Sequence, residues 1–167
     1  PSCRATLQTL GKADKADIAT LIFNAMFQVN MMPTMETFNA LVDAWAQAQD
    51  PYVAVERALE LVLLLKRDQT CLQLGLVPDM TTYYSLLKLL SRTRNKKDAG
   101  SMAEAMLDEM ERQTDSSIGL NAEAFRLAMK VCIHVGDMGR CESLLSRMEE
   151  SGLPPNVEIY REILQTL

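Results

Sequence analysis

The strongest constraint on the fold of this chain is a nine-residue phrase that occurs four times. Each copy has a Pro or Leu, a small polar residue, three further residues, an aromatic residue, and an apolar or small residue three positions later. The copies are Pro33-Thr-Met-Glu-Thr-Phe38-Asn-Ala-Leu41, Pro78-Asp-Met-Thr-Thr-Tyr83-Tyr-Ser-Leu86, Leu120-Asn-Ala-Glu-Ala-Phe125-Arg-Leu-Ala128 and Pro155-Asn-Val-Glu-Ile-Tyr160-Arg-Glu-Ile163. The aromatic residues are 45, 42 and 35 residues apart, and this recurrence predicts stacked supersecondary units rather than one globular core.

The interval from Phe125 to Tyr160 shows most clearly what one unit contains. Apolar and small residues recur at spacings of three and four on both sides of Gly136, which predicts two amphipathic helices. Gly136 is expected to end the first helix, because glycine tolerates the left-handed conformation that follows a helix C-terminus. Gly152 is expected to end the second helix, and the two prolines that follow prevent its continuation. Each unit is therefore predicted to be helix, tight turn, helix and short linker.

The sequence thus predicts an all-α fold, an α-solenoid of stacked helix-turn-helix repeats that forms one array over residues 1–167. The expected units are residues 1–34, 35–79, 80–121, 122–156 and a partial unit at 157–167. First helices are predicted at 3–11, 36–48, 80–92, 122–134 and 157–167, and second helices at 14–29, 52–71, 97–115 and 137–150. Because the sequence begins without Met and ends after a first helix, it is interpreted as a fragment of a longer solenoid.

The two longer units carry extra residues. In the first, they are expected in a longer second helix within 52–70 and in the link to Gly75. In the second, they are expected at 95–100 and 114–119, and long insertions in compact repeats are often functional.

The repeated phrase also predicts the core. An aromatic residue near a helix start and an apolar residue three positions later lie on one helix face. The residues predicted to be buried are Phe38, Tyr83, Phe125, Tyr160, Leu41, Leu86, Ala128 and Ile163.

Several classes of protein are disfavoured by the sequence. The longest apolar patch, Leu61 to Leu65, is far too short to span a bilayer. The four cysteines, Cys3, Cys71, Cys132 and Cys141, lie far apart without a C-x-x-C pair, so they are interpreted as free thiols that behave as small apolar groups. The single histidine, His134, has no ligand partner at metal spacing and is interpreted as a polar residue near a helix end.

Sequence motifs of enzymes are also missing. The chain contains no G-x-S-x-G, P-loop or G-x-G-x-x-G sequence, and its carboxylates are expected on solvated helix faces. We therefore expect no catalytic activity, no cofactor, no metal and no small-molecule substrate.

The net charge of −5 is unevenly distributed. The predicted first helices hold six basic and five acidic residues, whereas the second helices hold seven and fifteen, leaving aside Lys97 at a boundary. The acidic second-helix layer is interpreted as the solvated outer face. The near-neutral first-helix layer is where a partner is expected.

The repeated phrase resembles the pentatricopeptide repeat family. The resemblance rests on Pro-Asp or Pro-Asn, three residues, Tyr or Phe and then Leu with Ile or Val, with Gly and Ala-x-x-Leu/Phe-x-x-Met downstream. It extends over essentially the whole chain and is strongest at Phe125–Asn156. The Trp-x-x-Leu-Gly-x-x-Tyr signature of tetratricopeptide repeats is absent, and the one tryptophan is Trp45. The insertions and the phrase Asp43-Ala-Trp45-Ala look like diverged members of algae and protists.

The resemblance implies binding of single-stranded RNA in a mitochondrion or plastid, one base per repeat. In the family, a base is read by the residue after the aromatic and by the residue after the Pro at the end of the same repeat. Asn39 and Asp79 form a pairing that the family uses for uracil. The other pairs implied are Tyr84 with Asn121, Arg126 with Asn156, and Arg4 with Thr34. Lys130 and Arg161, together with Arg126, are expected to contact the RNA backbone. Salt bridges to Glu123, Glu158 and Glu162 are the other interpretation of these three residues.

One set of positions departs from the family pattern. Two residues before the aromatic, the family usually has an apolar residue that sandwiches the base. This chain has Glu36, Thr81, Glu123 and Glu158 there, and a carboxylate repels phosphate.

Two functions therefore stay open. The chain is either an RNA-binding solenoid in organellar RNA metabolism or a ribonucleoprotein, or a protein-protein scaffold in a large organellar complex. A basic patch of Arg92, Arg94, Lys96 and Lys97 suits an RNA backbone or an acidic protein surface.

Overall fold

The computed structural model describes residues 16–29, 31, 33–73, 75–94, 97–113 and 120–164. These residues are helical or lie in turns and links, with no strand among them, so the predicted all-α helical-repeat fold is confirmed. The predicted helix at 3–11 lies outside the described residues, as do Cys3, Arg4, Lys96 and the insertion at 114–119.

The chain forms two compact units, Pro1–Leu89 and Leu90–Leu167. In the first unit, α1 (Ala16–Gln28) packs on α2 (Met35–Ala46), which packs on α3 (Pro51–Arg67). A short helix, α4 (Gln69–Gln73), follows α3, and α5 (Met80–Leu90) comes next.

In the second unit, α7 (Ala122–Val135) packs against α6 (Ala99–Arg112), α8 (Met138–Glu150) and α9 (Val157–Leu164). The first helices of the repeats are α2, α5, α7 and α9. The second helices are α1, α3, α6 and α8.

Local sequence signals set the helix ends. The Asp50 carboxylate accepts hydrogen bonds from the backbone N–H groups of Tyr52 and Val53 at 2.9 and 3.3 Å, and Pro51 occupies the first turn of α3, where no N–H is required. Gly136 ends α7 with φ of +75°, as predicted.

The longer first repeat is accommodated as expected. Its second helix, α3, has 17 residues, and α4 adds five more before the link to the next first helix. In the second unit, α6 and α8 have 14 and 13 residues.

The predicted core is confirmed in three of the four copies of the phrase. Phe38 and Phe125 are 0% exposed and Tyr83 is 4% exposed. Their partners one turn later, Leu41, Leu86 and Ala128, are likewise buried. The Phe38 ring also meets Phe23 of α1 edge to face, with centroids 5.8 Å apart, so these aromatics join neighbouring hairpins.

The prediction for the fourth copy is wrong. Tyr160 is 43% exposed, and Ile163 is only half-buried. The physical reason is the number of neighbours. Among the described helices, α7 packs against three, whereas the main packing partner of α9 is α7. The face that α9 buries carries Ile159, which is 1% exposed.

The described part of the chain contains no helix long and apolar enough to cross a membrane.

Candidate partner-binding surface on the first helices

The small polar residue in each copy of the phrase begins a first helix. Thr34 Oγ1 accepts the Thr37 N–H at 3.3 Å, and Asp79 Oδ1 accepts the Thr82 N–H at 2.9 Å. Asn121 and Asn156 accept the N–H groups of Ala124 and Ile159 at 2.9 and 3.1 Å. A side-chain oxygen at this position satisfies an N–H that has no partner within the helix. In each implied base-contacting pair, the residue that follows the Pro or Leu is thus also a helix cap.

The residues whose backbone N–H groups donate to these caps were not identified from the sequence. Thr37, Thr82, Ala124 and Ile159 are all buried, each just before the aromatic residue. The sequence did contain a signal for them, because each lies three residues after the small polar residue, and this is the spacing between an N-cap and the N3 position of a helix.

Asn39 and Asp79, the implied uracil pair, are in direct contact. Asn39 Nδ2 lies 3.1 and 3.2 Å from the two carboxylate oxygens of Asp79. The Thr82 hydroxyl donates to Asn39 Oδ1 at 2.6 Å. Asn39 and Asp79 are both half-buried, so this cluster holds an amide and a carboxylate in fixed positions where α2 meets the start of α5.

The same edge continues one turn further along α2. The Ser85 hydroxyl of α5 donates to Asp43 Oδ1 at 2.6 Å. Between these two contacts, Tyr84 is half-buried on α5. Side-chain hydrogen bonds therefore connect consecutive first helices of the first unit.

The second unit connects its first helices by charge instead. The Arg126 guanidinium of α7 binds both carboxylate oxygens of Glu123 at 2.6 Å and Glu162 of α9 at 2.6 Å. Its side chain is 20% exposed. Hydrogen bonding to Glu123, together with the charges of both carboxylates, raises the Arg126 pKa against the effect of burial. This carboxylate-caged arginine occupies the position that Asn39 has in the first unit.

The positions two residues before each aromatic face solvent. Glu36, Thr81 and Glu158 are exposed, and the Glu123 side chain is 41% exposed. Exposure allows contact with a ligand, but three of the four side chains bring negative charge.

Basic side chains lie in the connection between α5 and α6, on α7 and on α9. Arg92, Arg94 and Lys97 are exposed, Lys130 is half-buried and Arg161 is exposed. Arg92, Arg94 and Lys97 lie between α5 and α6, and Lys130 lies in the second half of α7.

His134 lies in the last turn of α7, as expected for a polar residue near a helix end. Burial lowers its pKa, and the positive charges of Arg94 and Lys130 lower it further. Its Nδ1 atom is buried without a hydrogen-bond partner in the structure. The imidazole therefore favours its neutral form.

The described cysteines are buried thiols: Cys71, Cys132 and Cys141. Burial raises the pKa of Cys132 to about 12, so it stays protonated at neutral pH. The described residues hold no group of His, Cys, Asp and Glu that suits a metal ion.

Stacked helical hairpins and polar bonds between consecutive first helices define an α-helical repeat protein. Residues 105–167 match the family model of the pentatricopeptide repeat domain, which supports the resemblance found in the sequence. No curated protein matches the sequence.

Its fold is similar to a solved structure, the crystal structure of the pentatricopeptide repeat protein PPR10 from maize. The TM-score is 0.74 at 19% sequence identity. The match covers 98% of this chain and 21% of the maize chain, so this chain spans about a fifth of that length.

Proposed function

We propose that this chain is a non-catalytic module that binds single-stranded RNA along its first helices, in organellar RNA metabolism or a ribonucleoprotein. The observation that carries the proposal is the Asn39–Asp79–Thr82 cluster. The two side chains that the family uses against uracil are 40 positions apart in sequence, yet their polar atoms lie 3.1 Å apart. A polar pair held in place before binding loses less conformational freedom when a base arrives.

The cluster has suitable chemistry for a base edge. The Asn39 amide supplies donors and an acceptor, and the Asp79 carboxylate supplies acceptors. Arg92, Arg94 and Lys97 carry positive charge that suits RNA phosphates. Since the chain as a whole has a net charge of −5, we expect weak binding that depends strongly on salt.

The second unit offers less to a base. Glu123 and Glu162 already bind Arg126, so its guanidinium must leave two carboxylates before it binds another anion. We therefore assign base reading chiefly to the first unit, and backbone contacts to Lys130 and Arg161. The proposed location in a mitochondrion or plastid rests only on the resemblance to the family.

The caged Arg126 also favours a second function, a protein scaffold or accessory subunit of a large organellar complex. An arginine that is already paired with two carboxylates at a base-contacting position suits a surface that does not bind RNA bases. A partner protein would then dock on the first-helix face or on the basic patch.

Fluorescence anisotropy of labelled uracil-rich and adenine-rich single strands tests the RNA proposal. The variant to compare is Asn39→Ala with Asp79→Asn, because Asn is as good a helix cap as Asp and leaves α5 capped. The matched control is Asp50→Asn, the same change at the cap of the second helix α3. We expect the double variant to lose about tenfold in affinity for the uracil-rich strand and the control to lose none.

Two outcomes would contradict RNA binding at this site. One is wild-type affinity in the double variant, and the other is binding that does not weaken between ~50 and ~200 mM salt. If the wild type binds neither strand at low salt, co-purification with Arg94→Glu and Lys97→Glu tests the scaffold. Loss of a co-purifying protein in the variant with both substitutions would favour the scaffold function.

A further inference from the structure

The second helices of the second unit are joined by a ladder of ion pairs. Arg140 of α8 binds Glu104 of α6 at 2.9 Å. Arg147 of α8 binds Asp108 and Glu111 of α6, both at 2.7 Å. These contacts close the seam between α6 and α8 with paired charges.

The corresponding helices of the first unit can be placed in register with these. Ala16 of α1 lies 22 residues before Phe38, and Ala103 of α6 lies 22 residues before Phe125. The burial pattern continues identically at the third and seventh positions after each alanine. In this register the residues at the places of Glu104, Asp108 and Glu111 are Asp17, Leu21 and Asn24.

The facing helix, α3, has no arginine at the positions that correspond to Arg140 and Arg147. Asp50 and Asp137 cap α3 and α8, each twelve residues after its aromatic. Counted from these caps, the places of Arg140 and Arg147 are taken by Val53 and Glu60. The ladder is therefore absent from this seam, and the described residues of α1 and α3 share no ion pair.

An open groove lies there instead. It has a volume of about 390 Å³ between α1 and α3, with Trp45 of α2 among the residues that line it. The Trp45 indole N–H donates to Thr20 Oγ1 at 3.0 Å, which fixes the ring. Leu21 and Leu64 line the groove and are 67% and 47% exposed.

The groove continues along α3. A second hollow of about 500 Å³ shares Glu60 and Leu64 with it and extends to Arg67 and Asp68. The lining residues thus run from Arg57 of α3 to Asp68 at its C-cap, about three helical turns or roughly 17 Å. This length suits one short helix.

Its charges indicate what kind of helix fits. Asp17 stands where Glu104 receives Arg140 in the other unit, but Val53 offers it no charge. Arg57 and Glu60, at the rim, pair with each other at 3.0 Å and are largely exposed. Among the described residues no ion pair is found for Asp17, and a carboxylate of this kind beside exposed leucines suits a basic residue next to an apolar stripe.

We propose that the groove between α1 and α3 docks an amphipathic helix of a partner protein. Its apolar stripe lies on Leu21 and Leu64, next to the buried ring of Trp45, and its lysine or arginine binds Asp17. This is the helix-in-groove mode of recognition. The site lies on second helices and does not depend on the RNA proposal.

Trp45 provides the assay, because it is the one tryptophan of the chain and lines the groove. The probe is a synthetic 12-residue amphipathic helix without tryptophan, with leucines at positions i, i+3, i+4 and i+7 and two flanking arginines. A scrambled peptide of the same composition is the control ligand. Titration into the whole chain is expected to shift Trp45 emission with the amphipathic peptide and not with the scrambled one.

Two pairs of variants test the contacts. Leu21→Glu is expected to weaken peptide binding at least tenfold. Leu72→Glu makes the same substitution at a leucine that is 49% exposed and lies outside the groove, and it is expected to leave peptide binding unchanged. Asp17→Lys is expected to lower the affinity for the peptide with flanking arginines and to raise the affinity for a peptide with glutamates at those two positions. Circular dichroism confirms that each variant is folded.

Three results would overturn the proposal. The first is no emission change up to millimolar peptide, and the second is equal loss in Leu21→Glu and Leu72→Glu. The third is displacement of the peptide by a uracil-rich strand, which would assign the groove to RNA. Loss of RNA binding in Asn39→Ala with Asp79→Asn leaves peptide docking intact, so the two proposals fail separately.

Discussion

Replacement of Phe125 by alanine tests whether the repeated aromatic residue stabilises the fold by burial. Phe125 is 0% exposed and lies in α7, which packs against α6 and α8. Removal of the ring forfeits about 2 kcal/mol of apolar transfer free energy. A residual cavity on the order of 80 Å³ adds about 2 kcal/mol at ~24 cal/mol per Å³. We expect a loss of about 4 kcal/mol in the free energy of unfolding.

Tyr160→Ala in the same 167-residue chain is the matched comparison. Tyr160 has the same place in the phrase but is 43% exposed, so its truncation should cost about 1 kcal/mol. Urea unfolding followed by circular dichroism gives both values. Equal losses in the two variants would refute the reasoning, because position in the repeat, and not burial, would then decide the cost.

Two further predictions concern α7 and its ends. Gly136→Ala should lower the free energy of unfolding by about 1–2 kcal/mol, because its φ is +75°. Gly139→Ala, within α8, is the control and should not lower the free energy of unfolding. An added Cβ meets no atom within 4 Å at either position, so the backbone conformation is what differs. Because the pKa of His134 is lowered in the folded chain, the unfolded state binds more protons below the ordinary value of about 6.5. Stability is then fully present above that pH and falls as the pH drops through it. Urea unfolding at pH 7.5 and 5 should show this fall in the wild type and a smaller one in His134→Gln; the same slope in both would remove His134 as the cause.

The first-unit site was predicted in part from the sequence. The resemblance to the pentatricopeptide repeat family pointed to Asn39 and Asp79 and implied that they contact the same base. Their mutual hydrogen bonds and the role of Thr82 could not be predicted, because they depend on how closely α2 approaches the start of α5. The RNA role itself stays a prediction.

The second-unit site shows where sequence reasoning stops. The charges of Glu123, Arg126 and Glu162 were visible, and salt bridges were one of two readings of the arginine. Glu162 is 36 residues from Arg126, so only the packing of α9 on α7 selects the closed arrangement.

The sequence by itself determined the helical hairpins, their caps and most of the core. Those features depend on local physics: the 3.6-residue period of apolar side chains, the polar cap before each first helix, and glycine at φ of +75° after α7. Tertiary structure alone decided that Tyr160 is exposed, that Arg126 is caged and that a groove opens between α1 and α3. Each of these depends on which helix lies beside which, and a repeated phrase gives every unit the same local preference whatever its neighbours are.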